Sequence, residues 1–157
     1  MNLYTLLDQL QIPYSECEHS PVYTMEDAEQ EKISERIEGK ECKVLFLKHK
    51  KRYYLVLLPG EKRADLKAVA EAAGEPKLAF GSEERLFELL HLTPGAVTPL
   101  AIIYDEEKQV KVLTDSSLKG ENLLMHPCVN TKTVSIKYED LLTFIQATGH
   151  EYIEIPT

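Results

Sequence analysis

Two short apolar runs either side of a basic turn leave this chain few choices of fold. The first is Val44-Leu45-Phe46-Leu47-Lys48 and the second is Tyr53-Tyr54-Leu55-Val56-Leu57-Leu58-Pro59, with His49-Lys50-Lys51-Arg52 between them. Both runs are rich in β-branched or aromatic residues, so they predict two strands joined by a turn. Apolar residues occupy both faces of the first run, as in a strand buried on both sides. Alternation puts Lys48 on the face of Val44 and Phe46. A lysine that ends an inward row either begins an exposed turn or aims a cation into a cleft. Lysine is rarely buried without a partner, so on general grounds the exposed turn is favoured.

The remaining segments supply elements to pack around that hairpin. Asn2 is placed to cap a first helix with Leu3, Leu6, Leu7 and Leu10 on one face, stopped by Pro13. Tyr14 to Glu18 reads as a short strand. Thr24 and Asp27 have capping-box spacing, which predicts an acidic, exposed helix from Met25 that fades before Gly39. Asp65 caps a helix closed by Gly74, and Ser82 caps another with Leu86, Leu89 and Leu90 inward. Lys77 to Phe80 reads as a strand. Leu100 to Tyr104 and Val110 to Thr114 read as a second hairpin. Leu123 to Met125 and Thr133 to Ile136 read as further strands. A helix follows from Tyr138 to Ala147, then a last strand from Tyr152 to Ile155. Helices interleaved with hairpins predict a mixed sheet with helices around it.

At 157 residues the chain fits one domain, 1–157, with a core that needs no staples. No apolar run is long enough to cross a bilayer. Met1 to Leu10 lacks a basic n-region and carries Asp8 within its apolar pattern, so it does not read as a signal peptide. Cys17, Cys42 and Cys128 are isolated and odd in number, which points to reduced thiols in a cytoplasmic protein.

The net charge of -8 argues against nonspecific nucleic-acid binding by the whole surface. Its distribution is uneven. Lys40, Lys43, Lys48, Lys50, Lys51, Arg52, Lys62, Arg63 and Lys67 are opposed only by Glu41, Glu61 and Asp65, so that segment stands at about +6 and the rest at about -14. A basic patch on an acidic body can hold a few phosphates in one orientation; it can equally be a solvated hairpin tip.

Motifs for a nucleophile elbow, a P-loop, a zinc protease helix and a dinucleotide fold are absent. His126 and Cys128 are two apart, but a closed zinc site wants four ligands, and a lone cysteine is usually a small buried hydrophobe. What remains is a set of polar residues on loops between apolar strands: His19 and Thr24, Lys48, the loop Gly95-Ala96-Val97-Thr98-Pro99, and His126 with Asn130. Taken singly, each has a structural explanation as a cap or a turn residue.

Taken together, they resemble one family. Ile12-Pro13-Tyr14, Glu18-His19-Ser20-Pro21-Val22-Tyr23-Thr24, Leu45-Phe46-Leu47-Lys48, Leu57-Leu58-Pro59 and Lys62-Arg63-Ala64-Asp65-Leu66-Lys67 match in order and spacing. So do Leu92-Thr93-Pro94-Gly95-Ala96-Val97-Thr98-Pro99, His126-Pro127-Cys128-Val129-Asn130-Thr131 and Ala147-Thr148-Gly149-His150. The chain is similar to freestanding prolyl-tRNA editing proteins of the YbaK superfamily, most of all the branch that removes alanine from mischarged prolyl tRNA.

The resemblance implies a mixed α/β fold, with a central, mixed, partly barrel-like sheet surrounded by helices. It implies hydrolysis of an aminoacyl ester without metal or cofactor. Lys48 would be the central catalytic residue and Gly95 to Pro99 the G-x-x-x-P loop that shapes the amino-acid pocket. His126, Asn130, His19 and Thr24 would lie in the same site. Lys50, Lys51, Arg52, Lys62, Arg63 and Lys67 would hold the acceptor end of the tRNA, and prolyl-tRNA synthetase is a further implied partner. His49, where the family more often has an acid or amide, and Ala101, where glycine is common, depart from the pattern and bear on amino-acid preference. Three alternatives stay open from sequence: a deacylase for cysteinyl or seryl esters, a tRNA- or nucleotide-binding module without chemistry, and a protein-interaction domain that uses the acidic helix at Met25 to Gly39.

Overall fold

The computed structural model describes residues 2–156. Met1, where the N-terminal stretch discussed above begins, lies outside the described residues. Helix α1 (Leu3–Gln9) starts as expected, with the Asn2 side chain accepting the Thr5 N–H. Strand β1 (Ser15–Glu18) follows. Helix α2 (Met25–Gln30) begins where the Thr24 hydroxyl accepts the Asp27 N–H. The single acidic helix expected here is two short pieces. Lys32 turns the chain with a φ of 54°, and α3 (Ile33–Arg36) then buries Ile33 against Val22 and Leu124.

The predicted hairpin is β2 (Lys40–His49) and β3 (Arg52–Pro59), antiparallel, with Val44 opposite Leu57 and Lys48 opposite Tyr53. Asp65 caps α4 (Leu66–Ala73), which Gly74 ends at a φ of 74°. Only Ala79–Phe80 of the next predicted strand forms, as β4, and Ser82 caps α5 (Glu83–Leu90). Leu100 to Tyr104 is not a strand. Pro99 and the Thr98 hydroxyl, which accepts the Leu100 N–H, start a 3-10 helix over Pro99–Tyr104, and its first four residues are buried. Strand β5 (Val110–Asp115) therefore has no hairpin partner there and pairs parallel with β3. Strands β6 (Asn122–Met125) and β7 (Lys132–Lys137), helix α6 (Tyr138–Ala147) and strand β8 (Tyr152–Ile155) complete the chain.

The mixed sheet runs β1-β7-β6-β2-β3-β5-β8, with β4 added on β2. Its two faces explain the double-sided apolar pattern of β2. Phe46, with Cys42 and Val44 beside it, packs into the larger core with α1, α5, α6 and the 3-10 run. Leu47, with Leu45, faces the smaller core under α4, which holds Tyr54, Val56, Leu58 and Val69. Leu55, Leu57, Leu113 and Leu123 are fully buried, and each such side chain contributes about 1.5–3 kcal/mol.

Candidate active site

Strand β2 is paired by β3 from Cys42 to His49, but along its other edge only near its ends. Strand β6 reaches Lys40 and Glu41, and β4 reaches Leu47 and Lys48. The Glu41 carbonyl accepts the Gly60 N–H at 2.8 Å on the β3 side, whereas the Phe46 carbonyl accepts the Gly81 N–H at 2.9 Å on the opposite edge. Main-chain groups alternate sides along a strand. The N–H and C=O of Val44 therefore face the same edge as the Phe46 carbonyl, in the gap that neither β6 nor β4 covers.

A cavity of about 200 Å³ opens at this gap. Glu41, Cys42, Lys43 and Val44 form its β2 wall, and Met125, His126 and Thr133 stand across from them. Tyr23 and Thr24, at the start of α2, and Pro94, Gly95 and Val97 close the sides. Gly95 is held tightly: a Cβ there would lie 2.9 Å from the Tyr23 ring and 3.1 Å from the Asn130 side-chain nitrogen. Ala96, Thr98 and Pro99 are buried and are not lining residues. Asn130 also fixes Val22, whose N–H bonds its carbonyl at 3.1 Å.

The two site histidines are oriented by their neighbours. His126 Nδ1 lies 2.9 Å from the Lys132 carbonyl. A carbonyl can only accept, which assigns the proton to Nδ1 and leaves Nε2 an acceptor in the neutral ring. Burial pushes the His126 pKa down, further favouring that neutral form. His19 Nδ1 donates to the Ser20 carbonyl at 2.8 Å, so its Nε2 accepts the Thr133 hydroxyl at 2.8 Å. His19 is one step removed from the cavity: it orients Thr133, and its ring lies 6.1 Å from that of His126. Burial pushes the Cys42 and Cys128 thiols up to about 12, so neither is a thiolate nucleophile near neutral pH. Among the described residues no three His, Cys, Asp or Glu side chains converge as a metal-ligand set.

Lys48 is placed differently from the cavity residues. It is half-buried, on the face of Val44 and Phe46, opposite Tyr53 and Ala79. Four residues of strand, about 13 Å, separate it from Val44, and it is not among the cavity's lining residues. Of the basic set, Lys50, Lys51, Arg63 and Lys67 are exposed. Arg52 makes two 2.7 Å hydrogen bonds to the buried Glu75. Those bonds, with the one from Tyr54, hold the Glu75 carboxyl down at about 2. Lys62 lies 3.0 Å from the buried Asp115. Arg52 and Lys62 are thus tied to carboxylates that fasten the hairpin to its surroundings.

Sequence reasoning missed Glu41, Lys43, Met125 and Thr133 as lining residues. The available signal was the pair of charges two apart in the row that leads into Leu45 and Leu47. Charged residues on an otherwise apolar strand mark a break in its cover.

The aminoacyl-tRNA editing domain family matches residues 19–144. The chain belongs to that family, and it is an aminoacyl-tRNA deacylase. It is 40% identical over 149 residues to the prolyl-tRNA editing protein ProX of Acetoanaerobium sticklandii, covering 93% of this chain and 90% of that one. It is 34% identical over 142 residues to prolyl-tRNA synthetase associated domain-containing protein 1 of Bos taurus, covering 87% and 82% of the two chains. The crystal structure of hypothetical protein APE2540 superposes with a TM-score of 0.75 at 18% identity, over 98% of this chain and 97% of that one. A structure described as a candidate trans-editing enzyme for prolyl-tRNA synthetase gives 0.70 at 21% identity, over 92% and 87%. Both share the fold. No helix among the described residues is long and apolar enough to cross a membrane.

Proposed function

We propose that this chain edits in trans, hydrolysing the ester of alanyl-tRNA for proline as a cytoplasmic partner of the prolyl-tRNA synthetase reaction. The observation that carries the proposal is the cavity at the β2 gap. At about 200 Å³ it is smaller than the roughly 300–1,000 Å³ of sites that enclose a drug-sized ligand. It suits an aminoacyl group with the adenosine left outside. The name of the ProX relative supports the tRNA assignment.

The need for such a site is physical. A synthetase pocket shaped for proline discriminates poorly against alanine, because missing methylenes are worth only about 1–3 kcal/mol in an apolar pocket. A second site can accept the smaller error and exclude the ring by bulk. Gly95, pressed by Tyr23 and Asn130, is the narrow wall in this reading. Water attacks the ester carbonyl carbon, the bond to the ribose oxygen breaks, and that oxygen takes a proton as alanine leaves. The ester is already activated, so positioning the water is the main task, and the reading needs no metal. His126 Nε2 and the substrate's own 2'-hydroxyl are the groups that orient it. Lys48 lies further along β2, where the terminal phosphate and adenosine would lie.

The test is deacylation of alanyl-tRNA and prolyl-tRNA of the same tRNA at catalytic protein concentration, with cysteinyl- and seryl-tRNA alongside. Alanine should be released at least about tenfold faster than proline. Equal rates on both, or no turnover, would end this proposal. Gly95→Ala should push the exposed Tyr23 ring aside and reshape the wall. We expect about a tenfold loss in kcat/KM for the alanyl ester and a stability change within about 1 kcal/mol, read by steady-state kinetics and a thermal melt.

A further inference from the structure

The cavity wall contains one carboxylate, and the reaction mechanism above does not use it. Glu41 lines the cavity, and its carbonyl is spent on Gly60 on the β3 side. What it offers the cavity is therefore its side chain. Among the described residues no ion pair or side-chain hydrogen bond engages that carboxylate, although ion pairs form close by, as between Lys40 and Glu61. Burial, then Glu29 and Glu61, raise its pKa, the behaviour of an anion held without a counter-charge. Three residues along the same strand is Val44, whose carbonyl faces the uncovered edge. Among the described residues Lys43 is the only ammonium-bearing one in the lining, and no ion pair joins it to Glu41. The cavity thus has an unpaired carboxylate and a free carbonyl acceptor in one wall.

We propose that Glu41, with the Val44 carbonyl, binds the α-ammonium group of the aminoacyl ester. This rests on the editing reading of the same cavity. The ammonium is the one cationic group at the acyl end of the substrate, and entering a small cavity strips it of water. A desolvated cation needs a counter-charge and acceptors for its N–H groups. Glu41 supplies the charge and two oxygens, and the open edge supplies a third acceptor. The same arrangement favours a primary ammonium with three N–H groups over the secondary ammonium of a prolyl ester, which has two. Selection against proline then has a polar component beside exclusion by bulk.

The experiment compares alanyl-tRNA with lactyl-tRNA, in which a hydroxyl replaces the α-ammonium. The wild-type chain should prefer the alanyl ester by about 10- to 100-fold in kcat/KM. Glu41→Gln should lose about that factor on the alanyl ester and leave the lactyl ester unchanged. Glu41→Asp, which keeps the charge one methylene short, should recover part of the preference. Equal wild-type rates on the two esters overturn the inference and leave the editing function standing. So does a loss in both variants that falls equally on the two esters. Failure of the wild type on both esters overturns the editing reading and this inference with it.

Discussion

Lys48→Ala should lower kcat/KM for alanyl-tRNA by about 10- to 100-fold, the loss expected when a charge-assisted contact is removed, with little change in thermal midpoint. The fold does not depend on this ammonium. Among the described residues it makes no ion pair or side-chain hydrogen bond, and the backbone beneath it is held by strands on both sides. Its surroundings are rigid. Tyr53, its cross-strand partner, stacks on Phe46 with 5.6 Å between ring centroids and accepts a 2.9 Å hydrogen bond from Arg85. A fixed cation about 13 Å along β2 from Val44 is badly placed to meet charge on an ester carbonyl seated in the cavity. It is well placed for the phosphate behind the terminal nucleotide. That placement has a signature beyond lost activity. A lost phosphate contact on single-stranded RNA makes the dependence of log KM on log salt shallower by about 0.7. A fall in kcat with an unchanged salt slope would instead put Lys48 at the reacting carbonyl. An unchanged rate would remove it from the mechanism.

The contrast between Lys48 and Glu41 shows what a sequence carries about such a site. Alternation correctly gave the face of Lys48, because period two is a local property of a strand. It could not give the position along β2 that faces Gly95 and His126. That position is set by where β6 stops pairing with β2, and β6 comes from residues 122–125. The gap at Val44 is a property of three strands together, so the charges of Glu41 and Lys43 could mark a break in the strand's cover without showing what they face. The caps at Asn2, Thr24, Asp65 and Ser82 were legible because each is decided within a few residues of chain. Leu100 to Tyr104 failed for a related reason. A five-residue apolar run fits a buried strand or a buried helical turn equally well. Pro99 and the Thr98 hydroxyl decide for the turn, and the run then backs the cavity loop. Thr24 and Gly95, which singly read as a cap and a turn residue and through the resemblance as pocket residues, line the cavity, since the segments they shape form its sides.

The largest loss of stability should come from Asp105, at the end of that same 3-10 run. Its side chain is 1% exposed. One carboxylate oxygen accepts the Gln109 N–H at 3.0 Å, and the other accepts the Val110 N–H at 2.7 Å and His150 Nε2 at 2.9 Å. His150 in turn lies 2.8 Å from the Thr148 hydroxyl. One carboxylate thereby joins the 3-10 run behind the cavity loop, the start of β5 and the end of α6. Burial alone would raise its pKa, but the bonds from His150, Gln109 and Val110 outweigh it and leave the carboxyl below the usual aspartate range. Asp105→Ala strands the buried Val110 N–H, the partly buried Gln109 N–H and a buried imidazole. Breaking a buried charged network by removing one member costs about 3–5 kcal/mol. At roughly 2–4 °C per kcal/mol for a chain of this size, the midpoint should drop by about 6–20 °C. The pH dependence carries the same sign. A carboxyl with a depressed folded pKa adds stability above its unfolded value of about 3.9, and that stability is lost as pH falls toward the folded value. Wild-type melts should therefore draw closer to those of Asp105→Ala as pH falls from 6 through the unfolded carboxyl range toward the depressed folded value. Coupling between Asp105→Ala and His150→Ala in a double-mutant cycle would place the effect in this pair. A drop below about 3 °C, or parallel pH profiles, would show that the run behind the cavity is anchored by packing alone.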